Sequence, residues 1–222
     1  MLPNFNNPDL LVRAFTHRSA LNEPTSGTTS SVSNERLEFL GDAVLELAVT
    51  KFLFHEHPQE PEGKLTAYRS ALVRTTTLAE VAAELGLGEK LYMSRGEEAT
   101  GGRKNEGLLA DTTEAVIGAI YLDQGLEAAE KFIKDHVLPK FDKIKKERLY
   151  RDAKSLLQET VQAQGKSTPI YEVLAEEGPD HDKTFTMAVF IDDCEIGKGV
   201  GSSKQRAQQA AARQALATIA KN

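Results

Sequence analysis

The sequence from Asn34 to Phe54 reads NERLEFLGDAVLELAVTKFLF, and it decides the fold of the first part of the chain. Its apolar residues recur at the spacing of one helical face, which predicts a helix over Glu35–Phe54. Most of the circumference of this helix is apolar, so we expect it to lie near the centre of a domain. The recurring apolar positions are Leu37, Leu40, Val44, Leu47, Ala48 and Phe52.

The one polar line of this helix is made of carboxylates. Glu35, Glu38 and Asp42 are three and four residues apart, so a helix places them on one side, and Glu46 extends the line. Carboxylates on a central helix repel one another unless a cation or solvent screens their charges. Such a pattern is also typical of a solvated polar stripe on an amphipathic helix. The acidic line alone favours this plainer interpretation.

A second acidic pair, Asp111 and Glu114, precedes the apolar run Ala115–Leu122. Its spacing also fits a capping box at a helix start, which needs no catalysis. The helix predicted over Asn105–Leu122 is nearly all apolar, however, and Gly118 permits close approach by a neighbouring helix. Two such helices could bring four acids together, and carboxylate oxygens select hard cations such as Mg²⁺ or Mn²⁺. These ions activate water and neutralise charge on a phosphate.

The remaining pattern predicts two domains. The basic stretch Lys140–Arg151 indicates a helix end that runs into a solvated linker. We therefore predict an all-α domain over residues 1–147, a linker over 148–152 and a small α+β domain over 153–222 with the order α-β-β-β-α. The other predicted elements are helices within Leu65–Leu85 and at Glu127–Val137, Lys154–Gln164 and Ser203–Ala220, and strands at Ile170–Ala175, Phe185–Ile191 and Glu195–Val200.

Composition limits what the chain can be. Its 222 residues are 40% apolar and 27% charged, which excludes wholesale disorder. No run approaches the roughly 20 apolar residues that span a bilayer, so no membrane association is expected. The start of the sequence lacks a signal-peptide pattern and Cys194 is the only cysteine, so we expect a cytoplasmic protein in which Cys194 is a partly buried spectator.

The charges are unevenly distributed. The net charge of −6 argues mildly against a polyanion ligand, yet residues 196–222 contain five basic residues and no acid. Lys204 and Arg206 fall in the first turn of the last predicted helix, where free N–H groups favour a bound phosphate. Ordinary polar surface is the plainer alternative. Further candidate contacts are the polar stripe Lys154, Gln158 and Gln162 and the loop Gly178–His181.

Other catalytic schemes fit the sequence poorly. Gly165-Lys166-Ser167 has the end of a P-loop, but the position of the required upstream glycine is Thr160. The glycines of Gly197-x-Gly199-x-Gly201 lack the spacing of a dinucleotide-binding loop. The five histidines are scattered, so a tight two-histidine ribonuclease site is not supported.

Three motifs of the first domain are Thr16-His-Arg-Ser19, Asn34–Leu45 and Gly107–Asp123. Together they resemble the signature of the bacterial ribonuclease III family. The second domain is similar to a double-stranded-RNA-binding domain. The resemblance covers essentially the whole chain and implies an endonuclease domain followed by an RNA-binding domain. The motifs of the second domain are Leu156–Glu159, Gly178–His181, Gly199–Lys204 and Ala207–Ala212.

The resemblance implies a metal-binding active site that holds Mg²⁺, with Mn²⁺ as an alternative ion. Asp42 and Glu114 would act in catalysis, with Glu35 lining the cleft in support, and Glu62 would be a more peripheral acid of the cleft. Phe39 would lie at the subunit interface, because the family is a homodimer whose two sites cut the two strands. The implied metal ligands are Glu38, Asp42, Asp111 and Glu114.

The resemblance also implies contacts between the second domain and double-stranded RNA. Minor grooves would be contacted by Gln158, Gln162 and His181. Lys204 would contact the phosphates between these grooves. Gln205 and Gln208 replace charged residues of the family, which predicts weaker phosphate affinity and a shallower salt dependence unless Arg206 compensates. The implied RNA-binding residues are Gln158, Gln162, His181, Lys204 and Arg206.

We therefore predict a metal-dependent endoribonuclease that recognises double-stranded RNA by its A-form shape and hydrolyses its phosphodiester bonds. The resemblance implies 5′-phosphate and 3′-hydroxyl ends, a short 3′ overhang and roles in rRNA and mRNA processing. Two alternatives stay open: a non-catalytic double-stranded-RNA-binding protein, and a helical interaction protein whose acids are surface and caps. The variant Glu114→Gln, which should lose cleavage and keep duplex binding, tests the first alternative. Digestion of duplex RNA with and without a chelator tests the second.

Overall fold

The computed structural model describes residues 2–23, 27–147, 150, 153–179 and 183–220. The chain divides into two compact units, Met1–Tyr150 and Arg151–Asn222, and each has its own hydrophobic core. The division falls within the linker predicted over residues 148–152, of which Tyr150 is the one described residue. The exact domain limits stay a prediction.

The described part of the first unit contains helices and no strand apart from an isolated bridge between Thr16 and Tyr92, as the helical periodicity predicts. The α-helices are α1 Pro8–Ala14, α2 Glu35–Glu56, α3 Glu62–Val73, α4 Thr75–Glu84, α5 Arg95–Ala99, α6 Glu106–Gln124, α7 Leu126–His136 and α8 Lys140–Lys146. Short 3-10 helices span Arg18–Asn22, Gly88–Lys90 and Gly102–Lys104.

Helices α2 and α6 form the centre of this unit and approach each other closely. A Cβ atom added at Gly41 would lie 1.8 Å from the backbone oxygen of Glu114, and one added at Gly118 would lie 2.2 Å from the backbone oxygen of Leu37. Side chains at these two positions would force the helices apart. The glycine pair therefore sets the acidic line of α2 beside the acidic pair of α6.

The core packs around these two helices. Its large fully buried side chains include Leu45 and Leu53 of α2 and Ile117 and Ile120 of α6. Leu47 belongs to the apolar pattern of α2, but its side chain is exposed. The apolar pattern of α2 therefore covers more of the helix surface than the core of this unit uses.

The second unit has the predicted order α-β-β-β-α. Its three strands form one antiparallel sheet in the order β1-β2-β3. A Cβ atom added at Gly199 would lie 2.1 Å from the backbone nitrogen of Ala211, so the glycines of the third strand allow the last helix to pack closely on the sheet. The elements are α9 Ala153–Ala163, β1 Ile170–Glu177, β2 Thr184–Ile191, β3 Cys194–Gly201 and α10 Lys204–Ile219.

Two expectations from the sequence are wrong. Cys194 is exposed rather than partly buried, because it directly follows the tight turn Asp192–Asp193 at the start of β3. The capping-box interpretation of Asp111 also fails, since α6 begins five residues earlier and is capped by Asn105, whose side chain accepts from the N–H of Leu108. No helix within the described ranges is both long and apolar enough to cross a membrane.

Candidate metal centre and nucleic-acid interface

Three carboxylates meet where α2 and α6 cross. One oxygen each of Glu38, Asp111 and Glu114 lies within 4.8 Å of the other two, and the three residues are half-buried. Asp42 lies one turn further along α2, is exposed and is not part of this group, although its charge acts on Glu114. The structure thus brings three of the four predicted metal ligands together and places the fourth nearby.

Burial and mutual repulsion disfavour the ionised form of these carboxyls. Burial, and then the charges of the neighbouring acids with Asp42 first, raises the pKa of Glu114 to about 8. Burial, followed by the charge of Asp111, also raises the pKa of Glu38. Burial raises the pKa of Asp111, while His17 acts in the opposite direction. When all three carboxyls are ionised, the group would hold more negative charge than its own surroundings compensate.

The donor set fits a hard divalent cation. Every ligand in the group is a carboxylate oxygen, which is the donor that Mg²⁺ and Mn²⁺ prefer. Within the described residues it is the one group of three or more acidic, histidine or cysteine side chains close enough to share an ion. Glu46 continues the acidic line in sequence but pairs instead with Arg69 of α3, with 3.0 Å between Oε2 and Nε.

A cavity of about 370 Å³ adjoins the acids, and His17 lines it. The Nδ1 atom of His17 accepts from the backbone N–H of Ser19 at 3.3 Å and lies 2.8 Å from the Ser19 hydroxyl, which in turn accepts from the N–H of Ser94. Because Nδ1 is an acceptor, the neutral ring carries its proton on Nε2. The other lining residues are Arg18, Asn34, Glu35, Glu38, Leu91, Leu108, Asp111 and Thr112.

The five histidines are scattered along the sequence, so their spacing does not predict that His17 lies beside the acids. The signal that could have found it is the motif Thr16-His-Arg-Ser19, in which the serine fixes the ring of the histidine. A lone histidine is usually structural, so spacing alone could not single this one out.

The two remaining predicted acids of the cleft lie at its margin or beyond. Glu35 is exposed and lines the cavity, where Ser33 donates to its Oε2 at 2.7 Å and Arg18 Nη1 lies 3.8 Å from its Oε1. Glu62 is exposed at the start of α3 and accepts from the hydroxyl of Thr66 at 2.9 Å. Glu62 does not belong to the group of three carboxylates and does not line this cavity.

A second, larger cavity of about 730 Å³ lies among α4, α8 and the loops before α6, away from the predicted site. Its walls carry several cations, and acids of the same unit pair with three of them, namely Arg103, Lys140 and Lys143. Lys143 binds Glu80 at 2.9 Å, and Arg103 donates to Glu98 and to backbone oxygens. This cavity is lined by none of the predicted site residues.

Helix α2 presents apolar side chains to solvent on another face. Phe39 is 82% exposed, Phe54 68% and Leu47 53%. Their spacing along the helix keeps all three within an arc of about 80°. We call these three residues the α2 apolar face. Exposed apolar side chains on one side of a helix are typical of an interaction surface.

The predicted RNA-binding residues of α9 lie on its exposed side. Gln158 and Gln162 are exposed one turn apart. Lys154, the third member of the predicted stripe, is half-buried and donates to Gln208 at 2.7 Å, with its Nζ 4.9 Å from the centre of the Tyr171 ring. The predicted contact His181 lies outside the described residues.

The predicted phosphate contacts are exposed in the first turn of α10. Ser203 caps this helix by accepting from the N–H of Arg206, whose side chain donates to Ser202 at 3.0 Å. Nζ of Lys204 lies 2.7 Å from Oε1 of Glu176. The lysine predicted to bind phosphate is thus engaged by an acid of its own domain.

Two family models match the chain. One described as Ribonuclease-III-like matches residues 7–141, and one described as Double-stranded RNA binding motif matches residues 153–219. The first match covers more than half of the chain, and the second covers the α-β-β-β-α unit. The chain belongs to the ribonuclease III family.

Curated relatives match over almost the full length. A protein named Ribonuclease 3 from Geobacillus kaustophilus is 46% identical over 215 residues, which are 97% of this chain and 86% of the relative. One of the same name from Bdellovibrio bacteriovorus is 45% identical over 213 residues, 96% of this chain and 90% of the relative. This coverage extends the family match across both units.

Among solved structures, the nuclease domain of ribonuclease III from Campylobacter jejuni is similar to the first unit. It has a TM-score of 0.57 and 40% sequence identity, and the match covers 63% of this chain and 92% of that chain. Its description refers to a region involved in dimer formation. The predicted family, fold class and enzyme class are confirmed, namely a ribonuclease III endoribonuclease with a helical nuclease domain and a double-stranded-RNA-binding domain. The roles of individual residues stay predictions.

Proposed function

We propose that this ribonuclease III is a metal-dependent enzyme that hydrolyses phosphodiester bonds in double-stranded RNA to leave 5′-phosphate and 3′-hydroxyl ends. The observation that carries the proposal is the meeting of Glu38, Asp111 and Glu114 across two helices. Such a group of uncompensated carboxylates has no packing function that apolar residues would not serve better. Their raised pKa values support a site that is completed by a cation.

The group of three carboxylates, with Asp42 beside it, would hold Mg²⁺ or Mn²⁺. The bound ion supplies an activated water and neutralises charge on the phosphate. Glu114 must lose its proton for an ion to bind, since ligands coordinate in the deprotonated form. The buried glycine contact between the helices keeps the carboxylates in place and so avoids reorganisation during the reaction.

The cavity beside the acids would receive the RNA backbone. His17 is held by Ser19, which leaves its Nε2–H as a donor to groups in the cavity. Glu35, held by Ser33, keeps a carboxylate at the same cavity in support of catalysis. Glu62 would act further out, as an acid at the edge of the cleft.

The second domain would bind the duplex. Gln158 and Gln162 are suited to the minor groove, where amide groups reach 2′-hydroxyls and base edges. Lys204 and Arg206 would bind phosphates at the N-terminus of α10, where the helix dipole adds to their charge. His181 is proposed as a further minor-groove contact on the family motif alone.

We also propose a homodimer formed through the α2 apolar face, whose Phe39 matches the interface position of the family. A dimer would place two active sites on one duplex, one for each strand. A cytoplasmic location and roles in rRNA and mRNA processing complete the proposal and rest on the family alone.

The decisive experiment is cleavage of duplex RNA by wild type, Glu114→Gln and Glu106→Gln, each with Mg²⁺ and with EDTA. Glu106 is an exposed acid of the same helix outside the group, so its variant is the matched control. We expect EDTA to abolish cleavage and Glu114→Gln to slow it by about 10² to 10³, because several kcal/mol of charge stabilisation are lost.

Duplex binding should persist in the Glu114→Gln variant. Cleavage by Glu114→Gln at the rate of Glu106→Gln would contradict the site assignment. A wild-type chain that binds duplex RNA without cutting it under any divalent ion would instead support the non-catalytic alternative.

A further inference from the structure

Glu176 holds two lysines close to the start of α10. Its Oε1 lies 2.7 Å from Nζ of Lys204, and its Oε2 lies 3.6 Å from Nζ of Lys183. Glu176 on β1 is opposite Phe185 on β2, and Nζ of Lys204 lies 5.6 Å from the centre of the Phe185 ring. The hydrogen bond from Lys204, helped by the charges of both lysines, lowers the pKa of Glu176, so this side chain is ionised at neutral pH.

A carboxylate bound in this way uses the donors that a phosphate would use. Both groups are anions that accept from lysine ammonium groups, and each is bound more strongly than a neutral acceptor. The side chain of Lys204 remains 57% exposed, so RNA can reach it while Glu176 holds it. An incoming phosphate must therefore displace the carboxylate or share the ammonium with it.

The residues around Lys204 make this lysine more important for phosphate binding. Gln205 and Gln208 are uncharged, and Gln208 accepts a hydrogen bond from Lys154. The first turn of α10 therefore offers two cations, Lys204 and Arg206. One of the two is neutralised within the domain.

We propose that Glu176 is an internal competitor of the RNA backbone: it binds Lys204 in the absence of RNA and thereby sets the affinity for duplex RNA and its salt dependence. The inference rests on the proposed function of Lys204 as a phosphate contact. It offers a way for the domain itself to set the affinity of a reduced basic cluster for duplex RNA. The exposed ion pair itself contributes little to folding, so its removal leaves the domain intact.

Removal of the negative charge of Glu176 should strengthen binding to duplex RNA. Glu176→Gln should tighten duplex binding about two- to fivefold at low salt, which is the range that an exposed ion pair supplies. The slope of log affinity against log salt should steepen by up to about 0.9, because Lys204 then releases a counterion from the RNA that it did not release before.

The experiment measures binding of the full-length chain to a labelled RNA duplex, longer than the roughly 16 base pairs that one such domain spans, by fluorescence anisotropy at several KCl concentrations. EDTA is present throughout, so no RNA is cut. The variants are Glu176→Gln, Glu177→Gln, Lys204→Gln and the double variant Glu176→Gln/Lys204→Gln. Glu177 is the exposed next residue of β1 and lies on the opposite face of the strand, so its variant changes the net charge equally.

The proposal is supported if Glu176→Gln tightens binding, Glu177→Gln does so clearly less, and the gain disappears in the Lys204→Gln background. Equal gains from Glu176→Gln and Glu177→Gln would overturn it in favour of a general charge effect. Unchanged or weaker binding by Glu176→Gln, with an unchanged melting temperature, would also overturn it. A wild-type chain that fails to bind the duplex, or is unaffected by Lys204→Gln, would overturn the proposed RNA-binding role on which the inference rests.

Discussion

Glu114 lies where α6 meets α2, and its carboxyl group has Glu38 and Asp111 as close neighbours. Burial and the surrounding negative charges raise its pKa to about 8, so the metal-free side chain carries a proton at neutral pH. A divalent cation reverses both effects, because it supplies positive charge in a half-buried place. Protonation of this one residue would therefore be linked to binding of a metal ion at the proposed site.

This linkage predicts how metal affinity depends on pH. Between about pH 6 and pH 8 each ion must displace the proton of Glu114, so the apparent affinity for Mn²⁺ or Mg²⁺ should rise up to about tenfold per pH unit and level off above pH 8. Isothermal titration in two buffers of different ionisation enthalpy should detect about one proton released per ion near pH 7. Affinity that does not change over this range would contradict the prediction.

The same shift predicts the opposite trend for the stability of the metal-free chain. Glu114 binds its proton more tightly in the folded chain, where its pKa is about 8, than in the unfolded chain, where its pKa has the ordinary value of 4.5. Its contribution to the free energy of unfolding therefore falls as pH rises from about 4.5 to 8. In EDTA, Glu114→Gln should remove this part of the fall, and the melting temperature of the variant should exceed that of wild type more at pH 8 than at pH 5.

At the scale of elements, close approach between backbones positions the site. Gly41 and Gly118 allow α2 and α6 to touch, just as Gly199 allows α10 to pack on β3. Any larger residue at these positions would meet backbone atoms, which cannot rotate away as a side chain can. These glycines thus mark places where two backbones are in close contact. Their helix or strand propensity does not suggest such a contact.

This packing predicts that Gly118→Ala destabilises the fold by about 1–3 kcal/mol or more, because the added methyl group meets the backbone oxygen of Leu37 at 2.2 Å. Metal affinity and cleavage should fall with it, since the two acidic helices must separate. Gly63→Ala in α3 is the matched control, since nothing lies within 4 Å of its added Cβ atom, and it should be neutral or stabilising by about 0.5–1 kcal/mol. Denaturant unfolding measures both variants, and equal stability of the two would refute the packing role.

At the scale of the whole molecule, helix α2 of the first unit leaves three large apolar side chains exposed to solvent. The α2 apolar face includes a phenylalanine that is 82% exposed, although the same helix supplies much of the core on its other side. A second copy with the same face would cover it by a two-fold interface, in which each copy contacts the other with the same residues.

The proposed homodimer is tested by the double variant Leu47→Glu/Phe54→Glu. It should sediment as a monomer at concentrations where wild type is a dimer, because four carboxylates would meet in an apolar contact. Its duplex cleavage should shift from double-strand cuts toward nicks. Ile170→Glu, which changes an exposed apolar residue of β1, should leave the dimer intact. A double variant that remains dimeric would exclude this face as the interface.

Much of the fold could be predicted from the sequence, because helix and strand periods depend on residues only two to four positions apart. The acidic line of α2 and the order of the second domain follow from such local patterns. Patterns of this kind say which residues share a face, but they leave open what that face meets. Leu47 shows the limit, since its apolar character fits the core and the solvent-exposed face equally well.

The sequence by itself determined that two helices carry acids on one side each, and that a basic helix closes a small sheet domain. Only the tertiary structure decided that Glu38 lies close to Asp111 and Glu114. It also decided that Glu46 pairs with Arg69 and that Lys204 pairs with Glu176. The physical reason is that ionic and coordination contacts act over a few ångströms between residues far apart in the chain. Those distances are set by how whole helices and strands pack, and here by glycines that let them touch.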